Sequence, residues 1–351
     1  PLPPPYLPSS PSPQPGECSA SLAVLGAAAD ADLQGARAVA YVAATQHALV
    51  ASPDADSLSV VDVSDPTGPA VVGVATDGAS LDGACGVAYD AARQRAFVVS
   101  GGADTLSVVD VSTAANPAVV GPPPADAPVL QGACGVAHDD TRELAFVASG
   151  DASSLAVVDT SSTTPTLEGV VVDSTALDGA VGVCYDGTRQ RVIVVSERAD
   201  SLSVVDVSTA ASPSVQGHVA DASSLNGATG VACDASSQLA FVASAAGDSL
   251  TVVDVRDPAA PSVLGTVSDA ARLGGASSVS FDAASQRAFV ASANSDSLAV
   301  VDVSDPARPV LIGSFTDATN LDGAAGVHYD APTRRAIVVS ERADNLGVAN
   351  P

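Results

Sequence analysis

The chain has 351 residues, a formal net charge of −26 and 46% hydrophobic residues, but only 3% aromatic residues and no Trp or Met. All 14 basic residues are arginines. Nucleic acids and anionic lipids both bind through basic patches, so this balance disfavours either as a partner. No apolar stretch approaches the ~20 residues of a membrane span. We therefore expect no membrane insertion, and a core of Val, Ala and Leu.

The N-terminal segment is dominated by proline, which supplies eight of the first 17 residues. Such a segment cannot form a helix or enter a sheet interior, and it favours the polyproline II conformation. We treat residues 1–18 as a proline-rich tail and residues 19–351 as a separate domain. The tail is either a linker or an arm that docks on its own domain or on a neighbouring copy. Docking on a neighbour gives a head-to-tail contact, which closes into a ring or extends into a filament.

The remainder of the chain repeats one phrase, whose clearest copy is Leu58–Pro66, with the sequence LSVVDVSDP. Further copies, spaced by 47 to 49 residues, carry the same central aspartate. The marking positions are Asp62, Asp110, Asp159, Asp206, Asp254 and Asp302, with Asn350 in the seventh place. A fixed period of this length indicates a repeat architecture.

Each repeat contains four short apolar runs separated by Asp, Gly, Ser and Pro. In one repeat these runs are Gly86–Asp90, Arg95–Ser100, Leu106–Val111 and Pro117–Gly121. Runs of this length and composition are typical of β-strands. Four strands in a unit of about 40 to 50 residues are typical of a β-propeller blade.

The two ends of the repeat region complement each other. Residues 22–26 match the fourth strand of a repeat, and the chain ends after residues 346–349, which match a third strand. We predict an all-β fold, a seven-bladed β-propeller of four-stranded blades. Its N-terminal strand completes the last blade, formed by residues 325–349. This closure removes an open sheet edge.

The phrase LSVVDVSDP, followed by PAVVG, resembles the LVIVD-repeat family of β-propellers and, more loosely, the YVTN-type surface propellers. The resemblance covers roughly residues 21 to 351 and implies the propeller fold. It implies little about function, because many LVIVD-type proteins have no assigned activity.

The tail carries a second resemblance. Pro3-Pro4-Pro5-Tyr6 and Ser10-Pro11-Ser12-Pro13 are similar to the proline modules of extensin and arabinogalactan cell-wall glycoproteins. This resemblance implies hydroxylated prolines, attached O-linked glycans and an extracellular or cell-surface location. The candidate modification sites are Pro3, Pro4, Pro5, Pro8, Ser9, Ser10, Pro11, Ser12, Pro13 and Pro15. The candidate assembly contacts are Pro1, Leu2, Tyr6 and Leu7.

Aspartates recur in the turns of nearly every repeat. One hypothesis is a ring of carboxylates that binds Ca²⁺, and the other is that each Asp caps a turn by accepting backbone hydrogen bonds. The recurrence favours capping, because a binding site usually breaks the symmetry. Ca²⁺ stays a candidate partner, and we predict no cofactor. One such set consists of Asp56, Asp104, Asp200, Asp248, Asp296 and Asp344.

Four of the five cysteines lie on predicted innermost strands, and Cys18 lies at the tail junction. Cys85 and Cys134 occupy equivalent positions in adjacent blades, so their side chains should point in the same rotational sense, which argues against a bond. Cys184 and Cys233 are offset by one position and alternate to opposite faces, so their side chains face either each other or apart. We favour a Cys184–Cys233 disulfide over a Cys85–Cys134 disulfide, and the odd count leaves one thiol over.

Residues with catalytic potential are few. His138 and His328 lie on predicted innermost strands, where a core or channel-lining role is favoured over catalysis. No nucleophile elbow or phosphate-binding loop is present. Arg198 and Arg342 stand in matching SERAD turns and are predicted to pair with nearby carboxylates. The segment Gly121–Pro128 is predicted to form a stiff surface loop.

We therefore predict a non-enzymatic extracellular structural glycoprotein. Its tail would link copies of the chain head-to-tail into a filament or wall-like array, with other copies and attached glycans as partners. The alternative is a monomeric surface module that recognises a glycan, a cation or a protein through one propeller face. A third hypothesis is an enzyme whose active site lies in the central channel.

Overall fold

The computed structural model of the chain describes residues 22–121 and 127–351. In these residues, 28 strands form seven four-stranded antiparallel sheets, and two short 3₁₀ helices lie between them. No helix in the described part is long and apolar enough to cross a membrane.

The strands are β1 (Ala23–Ala29), β2 (Ala38–Val42), β3 (His47–Ser52), β4 (Ser57–Asp62), β5 (Ala70–Thr76), β6 (Ala84–Asp90), β7 (Arg95–Ser100), β8 (Thr105–Asp110), β9 (Ala118–Val119), β10 (Ala133–Asp139), β11 (Leu144–Ser149), β12 (Ser154–Asp159), β13 (Thr166–Val172), β14 (Ala180–Asp186), β15 (Arg191–Ser196), β16 (Ser201–Asp206), β17 (Ser214–Ala220), β18 (Ala228–Asp234), β19 (Leu239–Ser244), β20 (Ser249–Asp254), β21 (Ser262–Ser268), β22 (Ala276–Asp282), β23 (Arg287–Ser292), β24 (Ser297–Asp302), β25 (Val310–Thr316), β26 (Ala324–Asp330), β27 (Arg335–Ser340) and β28 (Asn345–Asn350). The 3₁₀ helices are η1 (Ala31–Leu33) and η2 (Ala127–Leu130).

The sheets are the blades of a propeller. Blades 1 to 6 are β2–β5, β6–β9, β10–β13, β14–β17, β18–β21 and β22–β25, and blade 7 consists of β26, β27, β28 and β1. In each blade the first-named strand is innermost and the last-named lies at the rim. Successive innermost strands pack side by side, and β26 packs beside β2, so the blades form a closed ring. The predicted seven-bladed propeller is confirmed.

The N-terminal strand closes blade 7 as predicted. Strand β1 pairs antiparallel with β28, from Ala23 opposite Asn350 to Ala29 opposite Asn345. Leu22 and Val24 also pack against the apolar cluster between blades 6 and 7. The two ends of the propeller region therefore share one sheet.

The apolar core lies between the blades. The second strand of each blade is buried on both faces, and in β7 Ala96, Phe97, Val98 and Val99 are all 0% exposed. A strand covered on both faces needs no polar alternation. This explains why the sequence shows continuous apolar runs rather than a period of two.

Blade 2 has a shortened rim strand. Strand β9 contains only Ala118 and Val119, whereas the other rim strands have seven residues. Pro122, Pro123 and Pro124 follow Gly121 in the sequence. Prolines have no N–H to donate to a ladder. Residues 122–126 of the predicted proline loop lie outside the described residues.

Candidate functional site

The turn aspartates hold neighbouring blades together. In blade 1, Asp56 adopts a left-handed backbone with φ of 47°, and its Oδ1 accepts a hydrogen bond from the N–H of Gly83, ahead of blade 2, at 3.0 Å. Asp tolerates this conformation better than most residues. The same bond joins Asp344 to Gly35, Asp104 to Gly132, Asp200 to Gly227, Asp248 to Gly275 and Asp296 to Gly323, at 2.7 to 3.1 Å.

These carboxylates accept backbone hydrogen bonds, but from the next blade rather than from their own turn, as the capping hypothesis had it. We call each such bond an Asp–Gly clasp. Among the described residues, no group of three or more His, Cys, Asp or Glu side chains is placed to hold a metal ion. The clasps therefore serve blade-to-blade packing.

The junction between blades 3 and 4 is built differently. Ser153 replaces the clasp aspartate, and the N–H of Gly179 donates to the carbonyl of Gly150 at 3.3 Å instead. Arg198 bridges this junction, with Nε 2.9 Å from Asp178 and Nη1 3.2 Å from Asp151. Its side chain is about half exposed, so each ion pair contributes little to stability.

Arg342 makes the corresponding bridge between blades 6 and 7. Its Nη2 lies 2.9 Å from Asp296, and its Nε lies 2.6 Å from Asp322. The two SERAD turns thus pair with nearby carboxylates, and both span a junction between blades.

A second set of contacts stacks an inner-strand ring of one blade on an apolar side chain of the preceding blade. Pairs that join a second strand to the next innermost strand are Phe97–His138, Phe146–Tyr185, Phe241–Phe281 and Phe289–Tyr329, with ring centroids 3.9 to 4.6 Å apart. Each stacked aromatic pair contributes about 0.5 to 1.5 kcal/mol beyond its buried area.

A disulfide replaces the aromatic ring between blades 4 and 5. Ile193 and Cys233 occupy the two stacking positions, and Cys233 is bonded to Cys184. The Cα atoms of the two cysteines are 6.1 Å apart, within the usual range for a disulfide. The pairing that we favoured from the offset is present in the structure.

A second disulfide joins Cys85 to Cys134 across blades 2 and 3, with their Cα atoms 5.3 Å apart. The sequence argument against this bond was wrong. Both cysteines lie in β-bulges, where the register of β6 and β10 shifts. The same bulge recurs in the innermost strands of other blades, so the two positions remain equivalent. The bond is possible because neighbouring innermost strands bring the two Cα atoms within disulfide range.

The two candidate histidines take part in packing between blades. His138 is 3% exposed, with Nδ1 2.8 Å from Asp140 and Nε2 3.1 Å from the hydroxyl of Thr160. His328 packs against Tyr41 of blade 1, with ring centroids 5.4 Å apart. Burial lowers the pKa of His328, and Asp330 opposes that shift.

Sequence reasoning missed a charged cluster between blades 3 and 4. The Tyr185 hydroxyl donates to Asp139 at 2.6 Å, while Arg142 donates to Asp139 at 2.7 Å and to the Tyr185 oxygen at 2.8 Å. Burial and the bond to Asp139 raise the pKa of Tyr185 to about 12. Burial raises the pKa of Asp139, but the hydrogen bonds from Tyr185 and Arg142 together lower it by more. The pKa of Asp139 is therefore below its usual value.

The signal for this cluster was an Asp-x-x-Arg spacing. It also occurs at Asp90 and Arg93 and at Asp186 and Arg189, and each arginine contacts the aspartate three residues before it. Only Asp139 also accepts a bond from a tyrosine of the next blade.

Two open spaces of similar volume lie near the propeller axis in the described part of the chain. A cavity of about 330 Å³ lies among the innermost strands, with Arg37 and Glu341 among its lining residues. A second space of about 340 Å³ is lined by Arg37, Glu197 and Arg198. The walls are close together, since a Cβ on Gly86 would overlap the carbonyl of Cys134.

The predicted tail sites lie outside the described residues. This applies to the modification positions Pro3, Pro4, Pro5, Pro8, Ser9, Ser10, Pro11, Ser12, Pro13 and Pro15, to the assembly positions Pro1, Leu2, Tyr6 and Leu7, and to Cys18.

Comparisons with known proteins agree with this geometry. A family model described as LVIVD repeat matches residues 40–77, 194–221, 232–269 and 287–317. A comparison with curated proteins gave no match. Among solved structures, the chain is similar to a functionally unknown protein from Desulfotomaculum acetoxidans DSM 771, with a TM-score of 0.64, 13% identity, and coverage of 80% of this chain and 85% of that one. At this identity the likeness shows the fold alone. The chain is a seven-bladed β-propeller that contains LVIVD repeats.

Proposed function

We propose that this chain is a non-enzymatic extracellular structural glycoprotein, whose proline-rich tail links propellers head-to-tail into a filament or wall-like array. One observation carries the proposal: the strand that continues directly from the tail is β1, the rim strand of blade 7. A force applied to the tail is therefore transmitted through β1 to the propeller ring.

The pairing of β1 suits a load-bearing role. Its register with β28 extends over six residue pairs, and a force along the strand loads these hydrogen bonds together. The next segment is also fixed, because Leu33 is 0% exposed and Gly35 donates to Asp344. Strand β1 is thus held by its pairing with β28, and the segment that follows it is held by the buried Leu33 and the Gly35 bond.

The cysteines support an extracellular location. Both disulfides join adjacent blades, and disulfides persist chiefly in oxidising compartments. The net charge of −26 favours a well-hydrated surface. Proline hydroxylation and glycosylation of the tail would add to that hydration.

The surroundings of the histidines support a non-enzymatic role. Both ring nitrogens of His138 have partners, and the partly buried His328 packs against Tyr41. A general base must reach its substrate. With both nitrogens engaged, His138 is poorly placed for that role.

Removal of residues 1–18 tests the proposal. We expect the full-length protein to assemble and the shortened one to stay monomeric in light scattering and electron microscopy, with unchanged circular dichroism. A matched control replaces residues 1–18 by a Gly/Ser segment of equal length, and it should also stay monomeric. Assembly of the shortened protein to the same extent would overturn the proposal.

The axial cavity favours a second candidate function, a surface module that binds a small ligand. Its lining residues include an arginine and a glutamate, Arg37 and Glu341, which suits a ligand with both charges. Titration with a glycan panel and with Ca²⁺, comparing the native chain with Arg37→Ala, tests this alternative. Binding that depends on Arg37, by a protein that does not assemble, would favour the module.

A further inference from the structure

One of the two disulfides lies in the wall of the propeller axis. Cys85 and Cys134 line both the cavity among the innermost strands and the second space, which turns on one face of the disc surround. We call this bond the channel disulfide and the second space the channel mouth. The two spaces measure about 330 and 340 Å³, whereas about 10 to 15 Å³ is enough to hold one water molecule. A small organic molecule therefore has room beside this disulfide.

The other disulfide is enclosed differently. Cys184 and Cys233 pack against the apolar cluster between blades 4 and 5. In the described part of the chain, neither of them lines the axial cavity or the channel mouth. The space that Cys233 does line measures about 10 Å³, which is barely enough for one water molecule. The two disulfides therefore differ in their access to a small molecule, although both join neighbouring innermost strands.

Glycines in the turns at the channel mouth leave the channel disulfide uncovered by side chains of those turns. The first turn residue after the second strand is Gly101 in blade 2 and Gly150 in blade 3, the two blades that the disulfide joins, and both line the mouth. Blades 4 and 7 have Glu197 and Glu341 at this position. A Cβ built on Gly101 would lie 3.8 Å from Sγ of Cys85, in ordinary van der Waals contact. A larger side chain at position 101 would therefore fit and would cover the disulfide.

Arg37 brings a positive charge to the same ring of positions. It occupies in blade 1 the place that Cys85 has in blade 2 and Cys134 has in blade 3. Strand β2, which follows Arg37 directly, packs beside β6, which carries Cys85. The Arg37 side chain is exposed and lines both the cavity and the channel mouth. A guanidinium near a cysteine favours the thiolate, and a cysteine with a lower pKa leaves faster in thiol–disulfide exchange.

We propose that the channel disulfide is a thiol–disulfide exchange site for small organic thiols that enter through the channel mouth. Cys85 is 7% exposed and Cys134 is more exposed, so the thiolate of the small molecule attacks Sγ of Cys134. A sulfur–sulfur bond forms between the small molecule and Cys134. The Cys85–Cys134 bond breaks, and Cys85 leaves as a thiolate on the strand next to Arg37.

A second small thiol completes the exchange. Its thiolate attacks the small-molecule sulfur of the mixed disulfide, and Cys134 leaves as a thiolate. Two thiols are thereby oxidised to one disulfide, and their two electrons reduce the protein disulfide. The two cysteines take up the two protons that the thiols lost, and the Ala133 carbonyl oxygen, 3.1 Å from Sγ of Cys85, can accept a hydrogen bond from the new Cys85 thiol. Exchange therefore removes a covalent link between blades 2 and 3, and it goes beyond the proposed function because it does not involve the tail.

The test measures which disulfide a small thiol reduces first in the folded protein. The full-length chain carries Cys18→Ser, so that the fifth cysteine does not compete, and it is treated with 2-mercaptoethanol for increasing times. Free thiols are then alkylated with N-ethylmaleimide and located by mass spectrometry of peptides. We expect the channel disulfide to be reduced at least about tenfold faster than Cys184–Cys233, and the two rates to converge when the chain is unfolded in urea. Equal rates in the folded protein, or faster reduction of Cys184–Cys233, would overturn the proposal.

Two substitutions test the route and the leaving group. Gly101→Leu should slow reduction of the channel disulfide about tenfold, because it covers the sulfurs, whereas Ala245→Leu, the same change at the equivalent turn of blade 5, should leave the rate unchanged. Arg37→Ala should slow the reduction about threefold, and Arg37→Lys should restore the rate. Native rates in both Gly101→Leu and Arg37→Ala would contradict attack from the channel mouth. Urea midpoints of each variant show that the fold is retained.

Discussion

The Oδ1 atom of Asp344 accepts a hydrogen bond from the backbone N–H of Gly35 at 2.9 Å. These residues are 309 positions apart in sequence, and they join the last blade to the segment that leads into the first. Strand pairing of β1 completes the sheet of blade 7, and this clasp links that blade to blade 1. Ring closure thus combines the strand pairing in blade 7, this clasp and the packing of β26 beside β2.

We predict that Asp344→Ala lowers the free energy of unfolding by about 1.5 to 3 kcal/mol, the typical effect of losing a hydrogen bond to a charged group. The substitution also leaves the left-handed backbone, with φ of 51°, without a residue that tolerates it. Urea unfolding followed by circular dichroism measures the change.

The control for this prediction is Ser153→Ala. Ser153 has the equivalent turn conformation, with φ of 49°, but its junction lacks the Asp–Gly clasp. We expect a much smaller change at this position. Equal losses for the two variants would show that the clasp does not stabilise the ring.

The Cys184–Cys233 bond should be replaceable by the aromatic contact that other junctions use. The bond closes a loop of 49 residues, so its loss should cost about 4 kcal/mol in the chain-entropy description. Cys184→Ala/Cys233→Phe should be more stable than Cys184→Ala/Cys233→Ala by about 1 to 2 kcal/mol, because Phe restores the buried ring.

Urea unfolding of both double variants, with the native chain under oxidising and reducing conditions, checks this ordering. Reduction should lower the free energy of unfolding of the native chain through the loss of both disulfides. The two variants lack the Cys184–Cys233 bond, so reduction should lower their free energy of unfolding only through the Cys85–Cys134 bond. A Phe variant no more stable than the Ala variant would contradict the proposed equivalence.

The Tyr185–Asp139 bond makes stability depend on pH. Because the folded state holds the pKa of Asp139 below its usual value, the carboxylate stabilises the fold above pH of about 4, and this contribution is lost as pH falls through the folded pKa. Tyr185→Phe should cost about 1.5 to 3 kcal/mol at pH 7 and much less near pH 2.

Urea unfolding between pH 2 and pH 7 measures this convergence. Tyr329→Phe is the matched control, since no hydrogen bond of its hydroxyl occurs among the described residues, while its ring stacks on Phe289. A pH-independent loss in Tyr185→Phe would show that the hydroxyl acts through packing alone.

The fold was predictable because the repeat period can be measured directly from the sequence. Asp62 and its equivalents mark each third strand, and the match of residues 22–26 to a fourth strand specified how the ring closes. Local turn chemistry was also predictable, since Asp90 accepts a hydrogen bond from the N–H of Ala92, two residues further on. These features depend on residues close in sequence or on exact repetition.

Contacts between blades were harder to predict, because they depend on side-chain direction. The bond between Cys85 and Cys134 depends on the short distance between neighbouring innermost strands, with Cα atoms 5.3 Å apart, which the sequence does not show. The bond from Tyr185 to Asp139 joins positions 46 residues apart, and Tyr329 occupies an equivalent position with no hydrogen bond of its hydroxyl among the described residues. The repeat length specifies which blades are neighbours, but the side-chain directions at each junction specify which atoms come into contact.

The most direct test of the account is electron microscopy of native, unfractionated protein at near-physiological salt. We predict filaments with a regular subunit repeat, a tail that leaves each disc beside the rim strand β1 of blade 7, and additional density on the tail prolines. Separate discs without such density would contradict the structural-glycoprotein proposal.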